Sequence, residues 1–239
     1  MSTATPEIGA FSIRELAKKY KMSEKNLKTV LSDHKIPTTT AKGKTLVNLR
    51  AFDAWMATNL KRLSDDKLET IEVDDKNKVR KIAPMLDETR VLFNPPDLTK
   101  TQILKRLVDA LGESKVVDTK HLPLILKAVI DRERLCSTAI MDGVAIPHPR
   151  SAMEQYIQEP ALVLAISKRG IDFESDDGKK THLFFLICAN STDVHLKVMA
   201  RLSRLLRGPK FRHELVISEN FDSVIEVFER WEKTLKTLA

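Results

Sequence analysis

The chain has 239 residues, 42% of them hydrophobic, and a formal net charge of +7, enough length and apolar content for two domains with real cores. No apolar run approaches the ~18 residues of a membrane span, so membrane insertion is not expected, and the opening Met1-Ser2-Thr3-Ala4 has neither the basic nor the apolar stretch of a secretory signal. The two cysteines, Cys136 and Cys188, form no CxxC pair, so a reducing cytoplasm is the expected location.

The charge is unevenly placed. Residues 1–62 hold 12 Lys and Arg against 5 Asp and Glu, while the remaining 28 basic and 28 acidic residues cancel. A basic module joined to a neutral one points to a polyanion partner for the first part only, with a solvated lysine-rich surface as the alternative.

Ser12-Ile13-Arg14-Glu15 has the form of a capping box and opens a helix with Ile13, Leu16, Ala17 and Tyr20 at helical spacing. Ser23 begins a second helix striped by Leu27, Val30 and Leu31, and the tight turn between them fits a helix-turn-helix. Its outward face carries Lys25, Asn26, Lys28 and Thr29, types that suit a major groove. Pro37 stops the helix, Lys42-Gly43-Lys44 reads as a small hairpin or wing, and Leu49, Phe52, Trp55 and Met56 line a third helix.

Across residues 9–60 these features resemble the winged helix-turn-helix of the excisionase and MerR-like family. The resemblance implies duplex DNA as a partner, held by Lys25, Asn26, Lys28, Thr29, Lys42 and Lys44. The chain departs from that family where an aromatic-Arg pair often leaves the wing; Leu46-Val47 stands there instead. Modules of this shape also bind proteins or membranes. Residues 63–89 alternate in charge without a sustained apolar stripe and read as a connector, with Pro84 discouraging a continuous helix.

From residue 90 to 239 the pattern is mixed α/β. Thr99-Lys100-Thr101-Gln102 is a capping box before Ile103, Leu104, Leu107, Val108 and Leu111, and Leu122, Ile125, Leu126, Val129 and Ile130 form a second amphipathic helix ending in Arg132-Glu133-Arg134. Three apolar runs, 143–147, 161–166 and 182–188, read as buried strands, and helices over about 193–207 and 221–235 close the chain. The expected architecture is a layered α/β domain, a central mixed sheet flanked by helices, behind a small, mostly helical N-terminal domain.

The most informative stretch is Gly143-Val144-Ala145-Ile146-Pro147-His148, an apolar run that delivers a histidine just past a proline. His195 stands at an apparent helix start 47 residues later. The pairing suggests a histidine that accepts a phosphoryl group and a neighbour that steadies it, since imidazole, with an ordinary pKa of ~6.5, presents an unprotonated nitrogen near neutrality. His34, His121, His182 and His213 read as structural or exposed. Histidine spacing supports no zinc site, and neither GxxxxGK[ST] nor GxGxxG occurs, so no metal and no cofactor is expected.

Residues 90–239 resemble the enzyme IIA domain of the fructose/mannitol and nitrogen-regulatory class of the bacterial phosphoenolpyruvate-dependent phosphotransferase system. The resemblance rests on Arg132-Glu133 with Ser137-Thr138, the run ending at His148, Gly170-Ile171-Asp172-Phe173 with Asp177-Gly178, and His195-Leu196 with Met199-Ala200-Arg201-Leu202, all in family order. Cys136 replaces a usual glycine and Pro149 a usual small residue. The resemblance implies that His148 is phosphorylated, that His195 hydrogen-bonds the phosphoryl oxygens, and that Arg132 supplies guanidinium charge. It further implies a histidine phosphocarrier protein as donor and regulatory target proteins as partners. Such a domain is a stoichiometric carrier, an enzyme only by convention. The expected function is a regulatory phosphocarrier in nitrogen or carbon control; the alternatives are a component of a sugar transport relay and an interaction protein that no longer transfers phosphate.

Overall fold

A computed structural model describes residues 10–19, 23–33, 35–41, 43–48, 52, 81–96, 98–134, 137–140, 142–149, 153, 155–175 and 177–235. The chain divides into two compact units, Met1–Leu63 and Ser64–Ala239.

In the first unit, strand β1 (Ala10–Ser12) leads into helices α1 (Ile13–Lys19) and α2 (Glu24–Asp33), followed by strands β2 (Thr38–Ala41) and β3 (Lys44–Asn48). Ser12 and Glu15 cap α1 reciprocally: the Glu15 amide donates to Ser12 Oγ at 3.3 Å, and the Ser12 amide donates to Glu15 Oε2 at 2.9 Å. The strands form an antiparallel sheet in the order β1-β3-β2. Leu16, Ala17, Leu27, Leu31, Ile36, Val47 and Phe52 are buried, which explains why these short helices hold their places. The two helices and the β2–β3 hairpin match the sequence expectation; β1 is additional, a three-residue strand too short to show a period. The expected third helix lies outside the described residues apart from Phe52.

The second unit opens with two 3₁₀ turns, Ala83–Met85 and Glu88–Arg90, then β4 (Val91–Phe93), α3 (Lys100–Glu113), a 3₁₀ turn (Thr119–His121), α4 (Leu122–Glu133), β5 (Val144–Ala145), β6 (Ala161–Ile171), β7 (Thr181–Cys188), α5 (Thr192–Arg207), α6 (Pro209–Ile217) and α7 (Phe221–Thr234). Its sheet runs β4-β6-β7-β5, with β6 and β7 antiparallel and both outer strands parallel to their neighbours. This is a mixed sheet flanked by helices.

Both faces of the two long strands are covered, so the strands read as continuous apolar runs rather than alternating ones. Ala161, Val163 and Ala165 of β6, with Phe184, Leu186 and Cys188 of β7, share a core with Ile103, Leu107 and Leu111 of α3 and Ile125 and Val129 of α4. On the opposite face α6 crosses β6 and β7, and Phe185 meets Phe228 edge-on at 6.5 Å, which in turn meets Phe211 at 5.2 Å. Burying a side chain of this size contributes roughly 1.5–3 kcal/mol.

Three features differ from the sequence expectation. Strand β4 has only three residues, and α6 has two buried residues, Phe211 and Leu215, so neither carries a readable period. Residues 81–89, assigned by their charge to the connector, bury Ile82, Ala83, Met85 and Leu86. The Ile82 amide donates to Glu232 Oε1 of α7 at 2.8 Å, so this segment belongs to the second folded unit. Lys81, Asp87 and Glu88 flank its short apolar run and lower the average of a longer window.

Candidate functional site

His148 is delivered by a segment whose backbone is tied down almost residue by residue. Asp142 and Gly143 both adopt left-handed conformations, with φ of +53° and +76°, and reverse the chain into β5. A side chain at Gly143 would place its Cβ 3.1 Å from His182 Cδ2, so glycine suits both the turn and the close approach. The Gly143 carbonyl accepts from the His182 and Leu183 amides at 2.7 and 3.0 Å, the Ile140 amide donates to the Val144 carbonyl at 2.8 Å, and the Ile146 amide donates to the Thr138 carbonyl at 3.0 Å. Beyond β5 the Pro147 carbonyl accepts from the Ile187 amide at 3.1 Å. Residues 144–149 are all buried, prolines included.

The His148 ring lies 2.7 Å, through Nδ1, from the Ile146 carbonyl oxygen. A carbonyl only accepts, so Nδ1 carries the hydrogen and donates it, and in the neutral ring Nε2 keeps its lone pair. Burial holds the His148 pKa well below the usual imidazole value, and the charges of His195 and Arg132 push it the same way. The ring is therefore neutral at pH 7, with one nucleophilic nitrogen defined by the fold.

His195 sits in the first turn of α5, capped by Ser191, whose hydroxyl accepts from the Val194 amide at 3.2 Å. Its ring centroid is 5.2 Å from that of His148, with the planes inclined by 46°. Burial and the Arg132 charge bring the His195 pKa down to about 4. Arg132 is buried at the end of α4, near enough for its charge to act on both rings. The structure thus gathers the end of α4, the loop after β5 and the start of α5. A cation and a helix N-terminus beside a neutral imidazole form a setting that favours an anion.

Two of the other histidines make local contacts. His182 Nδ1 donates to the Ser167 carbonyl at 2.9 Å, and the His121 ring lies 4.7 Å from that of Tyr156. His213 is exposed, and His34 lies outside the described residues. Of the residues expected to contact DNA, Lys25, Lys28 and Thr29 are exposed on α2 and Lys44 is exposed on β3, while the Asn26 side chain and Lys42 lie outside the described residues. No group of three or more metal-ligating side chains occurs among the described residues.

Glu133 and Thr138 stand in the family motif, but the sequence gives them no part in the site. The Glu133 carboxylate receives the Thr138 amide at 3.1 Å on each oxygen and the Thr138 hydroxyl at 2.5 Å, and pairs with Lys100 Nζ at 2.9 Å. The available signal is a carboxylate at a helix end, five residues before a hydroxyl.

This fold and site define the class: the chain belongs to the family described as "Phosphoenolpyruvate-dependent sugar phosphotransferase system, EIIA 2", whose model matches residues 84–231. Among similar proteins, the fructose-specific EIIABC component of Bacillus subtilis (strain 168) is 30% identical over 155 residues, 64% of this chain and 24% of that protein. The chain therefore spans about a quarter of that relative's length. A nitrogen regulatory protein of Bradyrhizobium diazoefficiens is 35% identical over 131 residues, 54% of this chain and 82% of the relative. The solved complex of enzyme IIA mannitol with phosphorylated enzyme IIB mannitol from Escherichia coli shares the fold, with a TM-score of 0.54 at 19% identity over 61% of this chain and 97% of that one. The second unit is thus an EIIA-type domain of the class that holds fructose, mannitol and nitrogen-regulatory members. No described helix is long and apolar enough to cross a membrane.

Proposed function

We propose that this protein is a regulatory phosphocarrier that accepts a phosphoryl group on His148 Nε2 from a histidine phosphocarrier protein. The observation that carries the reading is the 2.7 Å bond from His148 Nδ1 to the Ile146 carbonyl, which leaves Nε2 unprotonated beside His195 and Arg132. In the transfer, the N–P bond to the donor's imidazole breaks as a new N–P bond forms at His148 Nε2. The donor nitrogen recovers its lone pair, and no proton needs to leave Nε2. Phosphoryl transfer of this kind passes through a loose transition state, so the protein's part is positioning and charge stabilisation. Arg132 neutralises charge on the phosphoryl oxygens, and His195, neutral at pH 7, donates a hydrogen bond to them.

The test is intact mass after incubation with phosphoenolpyruvate, enzyme I and the histidine phosphocarrier protein. A gain of one phosphoryl group that is lost in His148→Ala supports the reading; no gain in the wild type with several related donors sinks it.

The regulatory output rests on the first unit. All of the excess positive charge lies in residues 1–62, and Lys25, Lys28 and Thr29 are exposed on α2 with Lys44 exposed on β3. This favours duplex DNA as the second partner, bound mainly through phosphate contacts. Binding to duplex DNA that weakens steeply with salt and is reduced by Lys25→Ala and Lys28→Ala supports it. Rapid passage of the phosphoryl group to a cysteine of a permease subunit, with no DNA binding, would instead place the chain in a sugar transport relay.

A further inference from the structure

Arg132 and Glu133 are consecutive residues at the end of α4, both buried and both ionisable, yet they serve different surroundings. Arg132 acts electrostatically on the two histidines. Glu133 holds Thr138, with its two oxygens taking the Thr138 amide and hydroxyl. Lys100 Nζ completes the arrangement, 2.9 Å from Glu133 Oε1 and 2.8 Å from Glu174 Oε2, above the Phe173 ring at 4.9 Å. Burial disfavours the charge on Lys100, but its bonds to Glu174 and Glu133 outweigh this and raise its pKa.

Thr138 is fixed at both ends. Its amide and hydroxyl are held by Glu133, and its carbonyl accepts from the Ile146 amide at 3.0 Å. The Ile146 carbonyl then accepts from His148 Nδ1 at 2.7 Å. A short relay therefore runs from Lys100 through Glu133, Thr138 and Ile146 to the imidazole. If Thr138 shifts, the Ile146 carbonyl shifts with it, Nδ1–H loses its acceptor, and the ring proton can move to Nε2. A ring protonated there has no lone pair at Nε2, and the one left on Nδ1 lies on the side of the Ile146 carbonyl.

We propose that Glu133 is the positioning residue that sets the tautomer of His148, an inference resting on the phosphocarrier reading for its functional consequence. Glu133 touches neither phosphoryl group nor donor; it acts through Thr138 and Ile146. A carboxylate suits the role because it takes an amide, a hydroxyl and an ammonium at once, which a carboxamide does less well and an apolar side chain cannot do.

The experiment uses the full chain labelled with ¹⁵N. Long-range ¹H–¹⁵N correlations at pH 7 read the His148 tautomer, and intact mass over time reads phosphoryl uptake from the histidine phosphocarrier protein. Glu133→Ala is expected to give a mixed His148 tautomer, unchanged signals from His182, and uptake slowed by about 10²-fold, the size of effect that misplacement near a reacting centre produces. Glu133→Gln is expected to restore most of both readouts. Thr138→Val, which loses the hydroxyl bond and keeps the amide, is expected to shift the tautomer in the same direction by a smaller amount, and it decides the matter if Glu133→Ala does not fold. Wild-type tautomer in the folded variants overturns the proposal, whatever their uptake rate. Absence of uptake in the wild type overturns the phosphocarrier reading alone, because the tautomer is read on the unphosphorylated protein.

Discussion

The His148 and His195 rings stand 5.2 Å apart although they come from unrelated elements, one from the loop after β5 and the other from the first turn of α5. Neither ring takes up a second, charging proton easily in that place. Burial disfavours the charge on each, and the Arg132 guanidinium adds to the effect on both. The pair is thus kept neutral and ready for an incoming anion.

Removing the Arg132 charge should loosen that hold. In Arg132→Gln both histidines are expected to titrate at higher pH, His195 moving up from about 4. Ring resonances followed by NMR across pH 3–8 check this, and an unmoved His195 midpoint would show that burial alone sets its pKa.

Stability should depend on pH through the same pair. A histidine with a lowered folded pKa binds fewer protons when folded than when unfolded, so stability rises with pH across the gap. The contribution is complete above the unfolded value of 6.5 and is progressively lost as pH falls toward about 4. For His195 the span corresponds to about 3 kcal/mol at 1.36 kcal/mol per unit, and His148 acts in the same sense. Urea unfolding between pH 4 and 7 is expected to show this slope, flattened in His195→Gln.

Two glycines with the same backbone sign should differ in their tolerance of alanine. Gly170, at φ +70°, would carry a Cβ 2.7 Å from Lys180 Cβ and 2.8 Å from His182 Cε1. Gly178, at φ +66°, has no atom within 4 Å of such a Cβ. Gly178→Ala is expected to cost roughly 1 kcal/mol, the left-handed penalty alone, and Gly170→Ala roughly 2–4 kcal/mol with crowding added. Denaturant midpoints of the two variants measure the difference.

Glu232 is the buried acceptor for Arg201 Nε at 3.2 Å and for the Ile82 amide at 2.8 Å. Glu232→Ala leaves a buried guanidinium and a buried amide without this partner, so a loss of about 3–5 kcal/mol is expected. Chemical denaturation reads it, and a loss below about 1 kcal/mol would mean that water reaches the vacated position.

Local signals made much of this molecule legible. The α3 capping box, Thr99 with Gln102, is visible in four residues and closes reciprocally. The apolar runs of β6 and β7 announce strands covered on both faces. His148 and His195 stand out by their places after an apolar run and at a helix start, Arg132 only through the family resemblance, and the fold brings their elements together. What escaped notice depends on partners distant in sequence. Ile82 looks like part of a charged connector until Glu232 is placed beside it. Glu133 stands in the sequence only as one residue of the charged run that ends a helix, and its counterion, Lys100, comes from another helix. Strand β4 exists because β6 offers it an edge, with Val91 opposite Leu164 and Phe93 opposite Ile166.

The bond from Ile82 to Glu232 spans 150 residues and joins the first described segment of the second unit to its last described helix. In effect the unit is buckled like a belt. Terminal segments are the usual places for a fold to fray, but the segment around Ile82 and the helix that carries Glu232 hold each other through this carboxylate. The two segments are therefore expected to open together at this seam, with the last helix keeping its amide protons nearly as long as the sheet does. A fragment cut at residue 90 would carry every residue of the histidine site and still lack its clasp.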